Sequence, residues 1–386
     1  MLRARPRARG GIASVSGYYI ALAGVYGGSF NETTGTSGVI GTATSNLTGT
    51  LTWSIQAGGD ARISINSSTG AVSTSSAIYT SDSAAFTVVV SNGTISIGFP
   101  FTAVGTVGLL LNRLTATATA AYGMRKLRSA YAGSCIRIKR NSDAVETDIG
   151  FSSTADGNGD YWVDTAAIAA HSPGGCTITT WYDQTGNSRN ATQTTQTFQP
   201  AYSATGWASS KPAVVFDGTD NRMNIPDHRA SFTNDIGLVA VSRCANASRV
   251  LFNTQQESGD NSGANSIALD ASNKLYFIVD PTTGGRPQPT TTAAFNNTNF
   301  SIIGSYDNTN GALMFANAES PSVAPGSGAL NFGTDTTYPW GLGFYPPTAS
   351  NFWNGPVEEL IIFNTAIGST DRTTIRTSHT AAYGAP

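Results

Sequence analysis

The run 179–193, TTWYDQTGNSRNATQ, places two aromatics, a carboxylate, several amides and a glycine within a few positions. Sugar sites pair aromatic faces with planar polar groups, which makes Tyr182, Asp183 and Asn187 candidate carbohydrate ligands. The same letters also describe a turn. An Asp or Asn side chain just after a strand accepts backbone N–H bonds and holds its loop closed. Gly186 would free the backbone for positive φ. Sequence alone leaves both readings open.

Three other groups could do chemistry. In VFDGTDNRM, Asp217 and Asp220, with Asn221, offer oxygen ligands to a calcium ion; an Asp-Gly turn between strands explains the same residues. Phe344, Tyr345, Phe352 and Trp353 cluster with Pro346 and Pro347. They form either an aromatic platform for glycans or a partner subunit, with Trp353 as its sugar-stacking ring, or core packing under a long loop. His171, His228 and His379 are scattered, pair with no nucleophile, and are expected at surface or capping positions. Cys135, Cys176 and Cys244 fit no zinc spacing. They are buried thiols, or one pair bridges and the third links chains.

The elements that must position these groups are mostly strands. Charged residues make up only 12% of the 386 residues, with Thr, Ser, Asn and Gly in their place, a composition that suits β-sheet surfaces and polar loops. A net charge of −2 excludes general nucleic-acid binding. No apolar run reaches the roughly 18 residues of a membrane span. Arg3, Arg5, Arg7 and Arg9 form a basic arm, 1–15, that docks on an acidic partner surface, stays solvated, or serves as the n-region of a signal peptide with YYIALAGVYGG as its apolar run. Residues 16–105 read as short strands around SSTG and SNG turns, a small sandwich of immunoglobulin type. Residues 106–127 are expected to be a linker with a short helix, because the leucines of GLLLNRL share a helical face. Residues 128–386 return to alternating strands such as SCIRIKR and CTITTWYDQ and end in a short helix, GSTDRTTIRTSHTAAYG. That pattern is a two-sheet jelly roll.

Two resemblances sharpen this. SIQAGGDARISINSSTGAVST resembles a cadherin-like repeat, although Asp60 and Asp82 are too few for the calcium sites such repeats carry. Over 121–218, the ordered motifs AYGMRKLRSAYAGSCIRIKR, VDTAAIAAHSPGGCTITTWYDQTGN and KPAVVFDGTDNRM resemble the catalytic-domain family of fungal-type α-L-arabinofuranosidases and its relatives in tailed-phage virion proteins. The resemblance implies a concanavalin A-like (laminin G-like) jelly roll, to which FWNGPVEELIIFNTAIGSTDRTTIRTSHTAAYG also corresponds. A retaining glycosidase uses two carboxyl groups, and in this family they lie downstream of the YDQ motif. The counterpart of the first segment, SIALDASNKLYFIVD, holds Asp270 but no Glu. The counterpart of the second, WGLGFYPPTASNFWNG, holds no carboxylate. If the strands SCIRIKR and GCTITTWYD are neighbours, Cys135 and Cys176 could bridge and leave Cys244 to cross-link subunits.

The sequence therefore leads to an all-β chain, an immunoglobulin/cadherin-like sandwich followed by a concanavalin A-like jelly roll. Its expected role is a non-enzymatic structural protein of a tailed-phage virion, in head, collar or tail. Expected partners are other copies of itself as a trimer or ring, other virion proteins and host-surface glycans, with no cofactor beyond a calcium ion. The alternatives are a carbohydrate-binding adhesin, secreted or on the bacterial cell surface, and a degenerate arabinofuranosidase-like glycosidase.

Overall fold

A computed structural model describes the chain except for residues 1–10, 16–17, 24–37, 60, 62, 75–82, 105–108, 157, 207–210, 255–262, 284, 318–319, 334–337 and 385–386. The arm with Arg3, Arg5, Arg7 and Arg9 lies outside the described residues, as do Asp60 and Asp82. The chain divides into two compact units, 1–108 and 109–386.

In the first unit, strand Thr52–Ile55 buries Trp53 and exposes Thr52, the alternation of a half-buried strand. It pairs with Ser83–Ser91, which pairs with Ser96–Val104. A second sheet runs Gly11–Val15, Tyr18–Ala23, Gly38–Ser45, Ala71–Thr74, Ile63–Ile65. Ala43, Trp53, Ile63, Val72, Phe86, Val88 and Val90 fill the core. The SSTG turn is built by Asn66, whose Oδ1 accepts the N–H groups of Ser68 and Thr69. It closes on Gly70 at φ +72°, where a Cβ would lie 2.6 Å from the Ala43 carbonyl.

The second unit is a jelly-roll-like sandwich. One layer runs Ala118–Gly123, Asn354–Phe363, Ile236–Ser242, Phe300–Asp307, Gly311–Ala316, Ser322–Ala324, all antiparallel. The other runs Met223–Ile225, Trp340–Leu342, Arg249–Asn253, Ser266–Leu269, Leu275–Ile278. Tyr122, Trp181, Phe216, Leu238, Phe252, Phe277, Trp340, Trp353 and Leu360 belong to the central core. Alternate residues of the first layer, Val239, Ile303, Ile361 and Phe363, belong to a separate cluster with Leu110 and with Ile375 of helix Ser369–Tyr383. Among the described residues, no helix is long and apolar enough to cross a membrane.

From Leu109 on, the stretch expected as a linker with a helix belongs to the second unit. Among its described residues only Leu110–Asn112 turns, as a 3-10 helix, and Ala118–Gly123 is a strand with all six residues buried. A strand buried on both faces shows no alternation, so its Ala and Thr residues read as helix formers. Of the two cysteine readings, buried thiols hold and the Cys135–Cys176 bridge fails. All three thiols are free and buried. Strands Ile136–Arg140 and Cys176–Trp181 do pair, but antiparallel, with Ile136 opposite Trp181 and Arg140 opposite Cys176. Cys135 and Cys176 therefore lie at opposite ends of the ladder. Cys244 is fully buried, which removes it as a subunit cross-link.

Candidate functional site

The YDQTGN run is a knot of side-chain-to-backbone bonds at the end of strand Cys176–Trp181. Asp183, 2% exposed, accepts at Oδ1 from the N–H groups of Ala121 and Thr185 and the Thr185 hydroxyl, and at Oδ2 from the Arg189 N–H. Gln184 donates to the carbonyls of Gly123 and Arg125 and accepts from the Leu127 N–H. Asn187 Nδ2 and Arg189 Nη1 both donate to the Thr119 carbonyl. The motif thus clamps strand Ala118–Gly123, and Asp183 has no oxygen to spare for a sugar. Tyr182 reaches sideways, its hydroxyl donating to Asp148 Oδ1 at 2.6 Å. Asp183→Ala is expected to cost about 3 kcal/mol or more, because it strands the buried Ala121 and Thr185 donors; chemical denaturation of the folded chain measures it.

The other sequence candidates separate. Asp217 Oδ1 accepts the N–H groups of Thr219, Asp220 and Asn221, the bonds of a turn. Asp220 joins no cation site: among the described residues no group of three or more His, Cys, Asp or Glu is placed to hold a metal. Trp353 is fully buried and its indole N–H donates to Ser242 Oγ, so it cannot stack on a ligand. His379, expected near the surface, is also fully buried.

What the fold does assemble is a polar row across the face of the second layer that points away from the core. Register pairs Thr192 with Asn224, Asn224 with Gly341, Gly341 with Asn253, Asn253 with Ser266, and Ser266 with Ile278. The neighbouring rows hold core residues, Trp340, Leu342, Phe252, Ile267 and Phe277. The 343–352 loop folds back over this face: a Cβ on Gly341 would meet the Phe344 carbonyl and the Pro346 ring at 2.7 Å.

The two segments that the sequence resemblance singled out, around Asp270 and 340–355, flank one strand. Arg249–Asn253 pairs with Ser266–Leu269 on one edge and Trp340–Leu342 on the other. Ser248 N–H donates to the Asp270 carbonyl, and Val250 N–H to the Asn351 carbonyl. Asp270 Oδ1 accepts the Ser272 and Lys274 N–H groups, which fixes the carboxylate on its turn. Tyr276 lies within its field: burial first, then the Asp270 charge, raises the phenol above its ordinary value. Asp280, at the far end of strand Leu275–Ile278, is buried and engaged by Gly263 N–H, Asn331 Nδ2 and Arg286.

At the other end of the row stands Arg222, two positions before Asn224 and so on the same face of the strand. Its guanidinium carbon sits 3.5 Å over the Phe198 ring and 5.9 Å from both Phe344 and Phe352. Those last two rings stack at 6.4 Å and 10°. Burial lowers the Arg222 pKa, opposed by Asp220. The sequence reading missed Arg222, Asn224, Asn253 and Ser266. Alternation in NRMNI, which sets Arg222 and Asn224 on one face, was the available signal.

Residues 112–230 match the family model "Alpha-L-arabinofuranosidase B, catalytic". The match covers under a third of the chain and includes the whole YDQTGN knot. No curated protein matches. Among solved structures, an arabinofuranosidase complexed with arabinofuranosyl-alpha-1,2-xylobiose is similar at 16% identity and TM-score 0.48, over 71% of this chain and 64% of that one. A GH54 α-L-arabinofuranosidase soaked with a cyclic sulfate inhibitor follows at 16% and 0.46, over 69% and 63%. A Ruminococcus gnavus sialidase CBM40 bound to α2,3 sialyllactose is similar at 12% and 0.31, over 43% and 94%. The chain spans less than two thirds of either arabinofuranosidase. The match to a catalytic-domain model corrects the expectation of a non-enzymatic virion protein.

Proposed function

We propose that residues 109–386 form a glycoside hydrolase domain of the arabinofuranosidase B type, acting on arabinofuranosyl linkages at the polar face of the second layer. The observation that carries this reading is the match of 112–230 to the catalytic-domain model. It is supported by Thr192 and Asn224, half-buried polar residues paired across that face, whose hydroxyl and amide suit sugar hydroxyls. Hydrolysis adds water across the glycosidic bond, and a positioned carboxyl group moves the proton to the leaving oxygen or from the water. Asp270 is the carboxylate for this step, because its Oδ1 is held by its own turn while Oδ2 is not among those bonds.

The test is turnover of an aryl α-L-arabinofuranoside by the full chain. Asp270→Asn keeps an oxygen for the Ser272 and Lys274 N–H groups, so the turn survives. It is expected to lower kcat by about 10²–10⁴-fold. Unchanged turnover in that variant would remove Asp270 from the chemistry. Absence of turnover in the wild-type chain, with sugar binding retained, would overturn hydrolysis itself.

A further inference from the structure

Arg222 is placed for a ligand that the motif-based reading does not name. Its guanidinium carbon lies 3.5 Å over the Phe198 ring and 5.9 Å from each ring of the Phe344–Phe352 stack. Its position is fixed from the backbone as well: Arg222 N–H donates to the Phe198 carbonyl at 3.0 Å, and Gln193 Nε2 donates to the Arg222 carbonyl at 3.2 Å. The one side-chain hydrogen bond of Arg222 among the described residues runs from Nη1 to the Asp220 carbonyl at 3.2 Å, and no carboxylate there pairs with it. Arg222 is half-buried, and stacking on phenyl rings meets none of its N–H groups, so its fork keeps donors for an anionic ligand. Every other arginine contact in the site is different in kind. Arg189 is spent on the Thr119 carbonyl and Ser231 Oγ, and Arg229 is paired with Asp227.

A stacked guanidinium presents its N–H edge in one fixed plane, a geometry that matches the two oxygens of a carboxylate. The half-buried Phe352 ring, stacked on the buried Phe344, supplies a flat apolar wall for the C–H face of a sugar ring. Asn224, on the same strand face, supplies an amide for adjacent hydroxyls. We infer that Arg222, with Phe198, Phe344, Phe352 and Asn224, is a subsite for a uronic acid residue, so that the glycans this domain takes carry carboxylated sugars. This rests on the sugar-directed reading of the polar face and extends it to an acidic substrate class.

The experiment compares binding of a glucuronic-acid-bearing xylo-oligosaccharide with that of its carboxyl-reduced, neutral counterpart, by calorimetry on the full chain. The acidic ligand is expected to bind at least tenfold more tightly, with the margin shrinking as salt rises. Arg222→Gln is expected to erase the margin, and Arg222→Lys, which keeps the charge but loses the flat fork, to restore only part of it. Equal binding of the two ligands by the wild-type chain would overturn the subsite, and that comparison needs no variant to fold. A margin that survives Arg222→Gln would overturn it as well. Turnover of the neutral aryl arabinofuranoside is read separately. Its absence with the acidic preference intact sinks hydrolysis and leaves the subsite standing, and the reverse result does the opposite.

Discussion

Arg125→Met is expected to lower the stability of the 109–386 unit by about 3–5 kcal/mol, the usual cost of breaking a buried ion pair from one side. Arg125 is 2% exposed and spans two carboxylates: Nε donates to Glu359 Oε2 and Nη1 to Asp160 Oδ1, each at 2.9 Å. Glu359 is fully buried and also meets His379 Nε2 at 2.9 Å and the Tyr383 hydroxyl at 2.9 Å. The network therefore fastens the terminal helix Ser369–Tyr383 to strand Asn354–Phe363 through polar atoms, beside the apolar contacts of Ile361 and Ile375. Methionine fills the stem's volume but leaves two carboxylates facing a low-dielectric interior. The double variant Arg125→Met with Glu359→Leu should recover part of the loss, since it removes the stranded charge of Glu359 too. Urea unfolding of the single and double variants measures both. Equal losses in the two would show that packing, not charge, holds the helix.

The same network sets an acid limb. Burial pushes the Glu359 carboxyl up, but Arg125 and His379 outweigh it and hold the group at about 2, against an ordinary value of 4.5. A carboxyl depressed in the folded state contributes stability that is fully present above its unfolded value and lost as pH falls through its folded one. The contribution of Glu359 should thus be complete above about pH 4.5 and fade toward pH 2.

How much of this was legible differs by residue. The alternation around Trp53 and the turns at Asn66 and Asn92 are local, and short-range rules describe them. Residue types in WYDQTGN announce a loop-closing Asp, yet the partner that Asp183 grips, the Ala121 N–H, is 62 positions away. Strand Ala118–Gly123 was unreadable for a physical reason: burial on both faces leaves no period, and its Ala-rich run carries little strand signature beyond Thr119 and Tyr122. Arg125 and Glu359 are separated by 234 positions, and only the sheet's closure brings them together. Phe198, Arg222 and Phe344 converge from three segments on the same terms. The run VEELIIF did carry a warning, because two acids inside an apolar strand must be paired or strained.

The structure resolves that pair into opposites, and the second large effect follows from the neglected half. Glu358 is fully buried, and neither carboxyl oxygen has a hydrogen-bond partner among the described residues. It sits where Val241 faces Glu359 but Ser242 faces Val357, so Glu358 is the extra residue of a β-bulge. Burial raises its pKa well above the ordinary value, Arg243 opposes this, and the Glu359 charge adds to it. The linkage sign is the reverse of Glu359's. A carboxyl that resists ionisation in the folded state favours unfolding once the unfolded chain ionises, so its penalty is small below pH 4.5 and grows as pH rises toward the folded value. Glu358→Met should therefore stabilise the chain by about 1–3 kcal/mol at neutral pH, the cost of an unmet buried polar group. The gain should shrink at pH 4. Glu358→Gln, which removes the charge but keeps polar atoms in place, should show the same pH trend with a smaller gain at every pH. Thermal unfolding of both variants at pH 4 and pH 8 reads the difference. A loss of stability at pH 8 would mean that the carboxylate is ionised and paired in the folded chain.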